Sequence, residues 1–108
     1  MNIHYVNRHE TAHGDIKSYI ETELGVLATK YDIAKADVIL DKDGHNDLHF
    51  VAEINLHVKG STLYCKETSD EIGKSIDLAV KTLEKQLKKH KETHFTSHEI
   101  RRHTIEKE

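Results

Sequence analysis

Proline is missing altogether from the 108 residues, and nothing functional follows from that absence. The other scarcities say more. A single cysteine, Cys65, excludes an internal disulfide and fits a reducing cytosol. No apolar run reaches the roughly 18 residues needed to cross a bilayer, so no membrane-spanning helix is expected. The first ten residues, MNIHYVNRHE, lack the basic-then-apolar pattern of a secretory signal. Positive charge is not in excess: the net charge is −3 with histidine neutral, so the whole chain is not a basic nucleic-acid binder by composition. Nothing resembles a nucleophile elbow, a phosphate loop or a dinucleotide fingerprint, and no carboxylate pair stands out for acid–base work. A chain of this length makes one domain that buries roughly 60–65% of its unfolded surface.

What the chain does have is periodicity. In residues 2–7, Ile3 and Tyr5 alternate with His4 and Val6, which predicts a first strand. Thr11 can cap a helix running to about Lys30, with Ile16, Tyr19, Ile20, Leu24, Leu27 and Tyr31 along one side. Gly14 and Gly25 weaken that helix by roughly 1 kcal/mol each relative to alanine. Asp37 to Asp41 predicts a short strand, and Gly44-His45-Asn46-Asp47 is turn chemistry. Leu48 to Lys59 alternates most cleanly: Phe50, Ala52, Ile54, Leu56 and Val58 share one face of a strand whose other face is polar. Gly60-Ser61 suggests a type II′ hairpin, and Thr62 to Thr68 a return strand with Leu63 and Cys65 on one face.

The last helix, Thr68 to Lys91, is the strongest signal. Thr68-x-x-Glu71 has the form of a capping box. Ile72, Ile76, Ala79, Val80, Leu83 and Leu87 make one apolar stripe, and Lys74, Lys81, Lys85, Lys88 and Lys89 fall on the opposite side. The order β-α-β-β-β-α predicts an α+β two-layer sandwich: a four-stranded mixed sheet with two helices packed on one face. Residues 1–91 form the domain, and 92–108, with few large apolar residues, are expected to be a disordered tail.

Three groups of residues invite chemistry. Cys65 lies on the expected inward face of a strand, where a thiol acts as a small hydrophobe rather than a nucleophile. His90, His94 and His98 have i, i+4, i+8 spacing, but three histidines on a fraying helix end lack the fixed geometry that zinc demands, and no metal or cofactor is implied. The lysines are different. From Lys81 to Lys91 there are five lysines against one acid, Glu84, a local charge of +4 in an acidic protein. Lysines often just cover a solvated face. Here they cluster toward one end and exceed what the helix dipole needs there, as a phosphate-binding row would.

The element order, the Ile54–Gly60 stretch INLHVKG, and Asp70, Ile76-Asp77, Leu83, Gln86-Leu87 and Lys89-His90-Lys91 on the final helix resemble the ribosome hibernation-promoting factor and ribosome-associated inhibitor (protein Y) family. The likeness covers residues 1 to 91 and is looser over the first helix. It implies a bacterial cytosolic, non-enzymatic protein that binds the small ribosomal subunit between head and body. There it would block mRNA and tRNA sites in the decoding region and stall translation during stress or slow growth. It also implies rRNA contacts at Lys17, Lys74, Lys81, Lys85, Lys88, Lys89 and Lys91, whereas Glu23 and Val26 stand where further basic residues would be looked for. Some short members of the family act with a ribosome-dimerising partner factor; others, with longer tails, oppose dimerisation. Without the resemblance, the same topology could serve as a regulatory module whose lysine face meets an acidic protein.

Overall fold

The chain alternates extended and helical segments: β1 (Asn2–Asn7), a 3-10 turn (Arg8–Glu10), α1 (Ile16–Lys30), β2 (Ile33–Asp43), β3 (His49–Val58), β4 (Ser61–Ser69) and α2 (Ile72–Phe95). The computed structural model describes residues 1–11, 14–43 and 49–95. The sheet order is β1-β2-β3-β4, parallel between β1 and β2 and antiparallel elsewhere. This is the expected α+β architecture.

Both helices bury their stripes against one sheet face. Ile20, Leu24 and Leu27 of α1 and Ile76, Ala79, Leu83 and Leu87 of α2 are at most 1% exposed. They meet Ala36, Val38 and Leu40 of β2, Ala52, Ile54 and Leu56 of β3, and Cys65 of β4 in one cluster. Every second strand residue points inward, so the period-2 pattern of β3 translates directly into this layer. Ser75 is a polar member that the apolar pattern hides. It is fully buried, and its hydroxyl donates to the Phe50 carbonyl, pinning the start of α2 to β3. At the other edge, Gln86 Nε2 donates to the Tyr64 carbonyl at 3.0 Å, so α2 also covers part of the free edge of β4.

Several boundaries differ from the sequence expectation. The helix expected from Thr11 begins at Ile16: Thr11 instead closes the 3-10 turn, its backbone N–H and hydroxyl both donating to the Arg8 carbonyl. Gly14 has φ +63°, outside helical space, so α1 can start only after it. Tyr19 leaves the apolar stripe and is exposed. Strand β2 runs well past Asp37–Asp41, because a register shift between Ile33 and Lys35 turns Ala34 and Lys35 outward in succession and erases the alternation there. Thr68 does not cap α2; it pairs with Val51 inside β4. The Ser69 hydroxyl accepts the Glu71 N–H at 3.2 Å in its place. The hairpin turn is Lys59-Gly60 rather than Gly60-Ser61, since Val58 pairs with Ser61 and Gly60 carries φ +79° in second position. Helix α2 continues to Phe95, whereas residues 96–108 of the expected tail and the expected turn at 44–47 lie outside the described residues.

Two polar links join the helices across the top of the sandwich. Lys30 Nζ reaches Glu84 Oε2 at 3.5 Å, and the Tyr19 hydroxyl donates to Asp77 Oδ1. The second bond, followed by burial and the nearby charges of Asp77 and Glu23, pushes the Tyr19 phenol from 10.0 up to about 12.

Leu83→Ala, at the centre of the α2 stripe, is expected to cost about 2–5 kcal/mol in urea unfolding. Leu78→Ala on the exposed side of the same helix should stay within about 0.5 kcal/mol. An ultraviolet titration should show one tyrosine ionising near pH 12, and Asp77→Asn should bring it back toward 10. Because the folded-state pKa is raised, this bond supports the fold below pH 10 and is lost as pH climbs toward 12.

Candidate nucleic-acid interface

With its apolar stripe against the sheet, α2 has only its lysine side to offer a partner. Lys74, Lys81, Lys85, Lys88, Lys89 and Lys91 are all exposed. Among the described residues, Lys81, Lys85 and Lys88 have no carboxylate within ion-pair distance. Their spacing of four and three residues keeps them on one side, stepping along the helix axis by about 6 and 4.5 Å. These three are the uncompensated core of the row.

The other expected contact residues divide. Lys74 sits in the first turn of the helix and is held by Glu71 at 3.2 Å and Asp70 at 3.3 Å. Those two carboxylates, Glu71 first, raise its pKa further above the usual lysine value. Its charge is therefore largely answered within the protein. Lys91 Nζ lies over the Tyr31 ring at 5.6 Å from the centroid, which carries the row past Lys88 to the end of α1. Lys89, four residues after Lys85, is exposed on the same side of the helix.

Lys17 is not brought to this row. Its ammonium rests over the Tyr5 ring of β1, 5.9 Å from the centroid. At 100° per residue it is about 160° around α1 from Tyr19, the residue that reaches α2. The body of α1 therefore stands between Lys17 and the lysines of α2.

Between the helices lies a groove of about 570 Å³ lined by Tyr19, Glu23, Asp77 and Leu78 with Lys74 and Lys81 at its sides. Glu23 thus brings negative charge close to the row, and Val26, 48% exposed, brings none of either sign. The first helix adds little positive field at its middle.

Two basic residues absent from the sequence-based set do join the surface. Lys30 at the end of α1 and Lys59 in the β3–β4 turn line a second groove, of about 470 Å³, together with Lys91. Lys30, Lys59 and Lys91 are far apart in sequence and share no periodicity. Only the closing of the sandwich makes them neighbours, so no pattern along the chain could have singled them out.

The opposite face of the sheet is chemically different. His57 Nε2 lies 2.9 Å from Asp37, and His9 Nδ1 lies 2.7 Å from Asp41. These hydrogen bonds hold both aspartate carboxyls below the usual range. Asp37 also has Lys35 at 3.6 Å and His4 at 3.8 Å, so its charge is spent locally. Among the described residues no cluster of three or more ligand-type side chains could hold a metal, while His98 of the histidine series lies outside them. The Cys65 thiol is buried, its sulfur 3.5 Å from the Ala79 carbonyl oxygen, and burial pushes its pKa up to about 12. That is the setting of a core residue and not of a nucleophile. No helix among the described residues is long and apolar enough to cross a membrane.

The fold has solved relatives. A ribosomal subunit interface protein from Coxiella burnetii matches with a TM-score of 0.70 at 24% identity, over 84% of this chain and 98% of that one. The N-terminal domain of Thermus thermophilus protein Y matches with a TM-score of 0.73 at 29% identity, over 83% of this chain and 99% of that one. No curated protein matches the sequence. The sequence profile of the family described as sigma 54 modulation protein / S30EA ribosomal protein matches residues 3–94, from the first strand to the last turn of α2. The chain belongs to the sigma 54 modulation protein / S30EA ribosomal protein family.

Proposed function

We propose that this protein binds the small ribosomal subunit near the decoding region and inhibits translation by occupying the space of mRNA and tRNA. The observation that carries the reading is the uncompensated Lys81–Lys85–Lys88 row on an otherwise acidic member of this family. Such a row attracts a phosphate backbone by Coulomb force and by release of condensed counterions. It carries no base-reading geometry, so it suits folded RNA recognised by shape and backbone. The 29% identity to the protein Y domain supports the same assignment.

The mechanism needs no catalytic step. A rigid two-layer body holds α2 by its buried stripe, and the lysine side docks on rRNA phosphates. Inhibition follows because two bodies cannot fill one site. Lys91 extends the contact surface, Lys89 flanks it, and Lys74 contributes less because Asp70 and Glu71 already neutralise it. Lys17, on the far side of α1, would serve a separate contact. The protein would act in the bacterial cytoplasm, where ribosomes work, during stress or slow growth.

Replacing Lys81, Lys85 and Lys88 together by glutamate is expected to abolish cosedimentation with small subunits at moderate salt while circular dichroism stays unchanged. Each single Lys→Ala variant should lower the slope of log affinity against log salt by about 1. A folded triple variant that binds as the wild type does would overturn the assignment of this face. Binding that survives ribonuclease treatment of the ribosomal fraction would point to an acidic protein partner instead.

A further inference from the structure

The groove at the end of the sandwich has properties that a phosphate-binding row does not need. Tyr31, Val58 and Leu87 supply an apolar lining, and Lys30, Lys59 and Lys91 stand around it with Asp32 as the one carboxylate. Its volume of about 470 Å³ lies within the roughly 300–1,000 Å³ of small-molecule clefts. It also borders the row: Lys91 follows Lys88 by three residues, about 4.5 Å further along the helix and about 60° around it, on the side that faces Tyr31. A strand tracked by Lys81, Lys85 and Lys88 would arrive at the groove.

We propose that this groove receives one unstacked nucleotide of the bound RNA, its base on Tyr31 and Val58 and its phosphate between Lys59 and Lys91. The inference rests on the RNA reading above and names what its basic row leads to. Each part of the lining has a counterpart in a nucleotide. An aromatic ring offers a π-face that any base can stack on, and a guanidinium or ammonium at the rim matches the phosphate. Lys91 now sits over Tyr31, and its flexible four-carbon stem lets the ammonium swing from ring to phosphate when a base enters. An acidic peptide would satisfy the lysines but leave the apolar lining without a partner. A base inside a duplex could not reach the lining at all.

The test uses the full chain and an RNA hairpin carrying a single bulged 2-aminopurine, beside the same hairpin with an abasic residue at the bulge. Binding is expected to shield the 2-aminopurine from acrylamide quenching, and the hairpin with the base should bind about tenfold more tightly than the abasic one. Tyr31→Ala should erase that difference and Tyr31→Phe should keep it; Lys59→Glu should weaken both hairpins. The wild-type comparison is decisive even if Tyr31→Ala does not fold. Equal affinity for the two hairpins overturns the proposal. So does adenosine monophosphate competing as well as the hairpin, which would mark a site for free nucleotide, or poly-glutamate displacing the hairpin equally well. Equal hairpin affinities with intact cosedimentation on small subunits would remove the nucleotide site and leave the ribosomal reading standing; loss of cosedimentation by the wild type would remove the latter.

Discussion

The seating of α2 on the sheet governs the rest of the molecule. Ile76, Ala79, Leu83 and Leu87 are sealed against strands β3 and β4, and burial of the three larger side chains contributes roughly 1.5–3 kcal/mol each. Because the stripe is continuous over about three turns, it fixes the rotation of the helix about its axis. Once that rotation is fixed, the direction of every lysine follows. Ser75 adds a directional restraint at the start of the helix, where its bond to the Phe50 carbonyl admits one position along the sheet, and Gln86 adds another near the end. Packing, rather than any local property of the lysines, makes the row a defined surface.

The same seating divides the charge of an acidic protein into regions. On the outer sheet face, Asp37 stands beside Lys35 and Asp41 beside Arg8, each with a histidine hydrogen bond as well, so those carboxylates are matched where they stand. At the start of α2, Asp70 and Glu71 do this for Lys74. Farther along the helix, among the described residues, Lys81, Lys85 and Lys88 have no carboxylate within ion-pair distance. A net charge of −3 is thus compatible with a locally basic end, because the field at a docking surface depends on which charges lack a nearby opposite.

Much of the fold was legible because burial and periodicity coincide. The patterns of strand β3 and helix α2 translated into correct elements and most core residues, although Phe50 stays outside the core cluster and Val51, on the other face of β3, is buried. Legibility failed where a local event broke the period. The register shift in β2 concealed its first residues, the positive φ of Gly14 delayed α1, and the sheet pairing of Thr68 took away its role as a cap. For the site, residues on one helix could be grouped from spacing alone. Residues on different elements could not: Lys30 and Lys59 become partners of Lys91 only through topology, and Lys17 drops away from the row because α1 turns it toward β1. The pairing of Lys74 was foreseeable in part, since Asp70 precedes it by four residues and Glu71 by three.

The length of α2 has one more consequence. From Lys74 to Lys91 the helix advances about 25 Å, and a helix supported along one side cannot stretch or compress to suit a partner. Its lysines are marks on a ruler with fixed divisions. A flexible basic tail would wrap any polyanion and so discriminate poorly, whereas fixed divisions favour only phosphates already held at a matching separation. Folded RNA holds its phosphates that way and free single strands do not. On the proposed ribosomal reading, the rigidity that comes from an apolar stripe would serve as a measure of RNA shape.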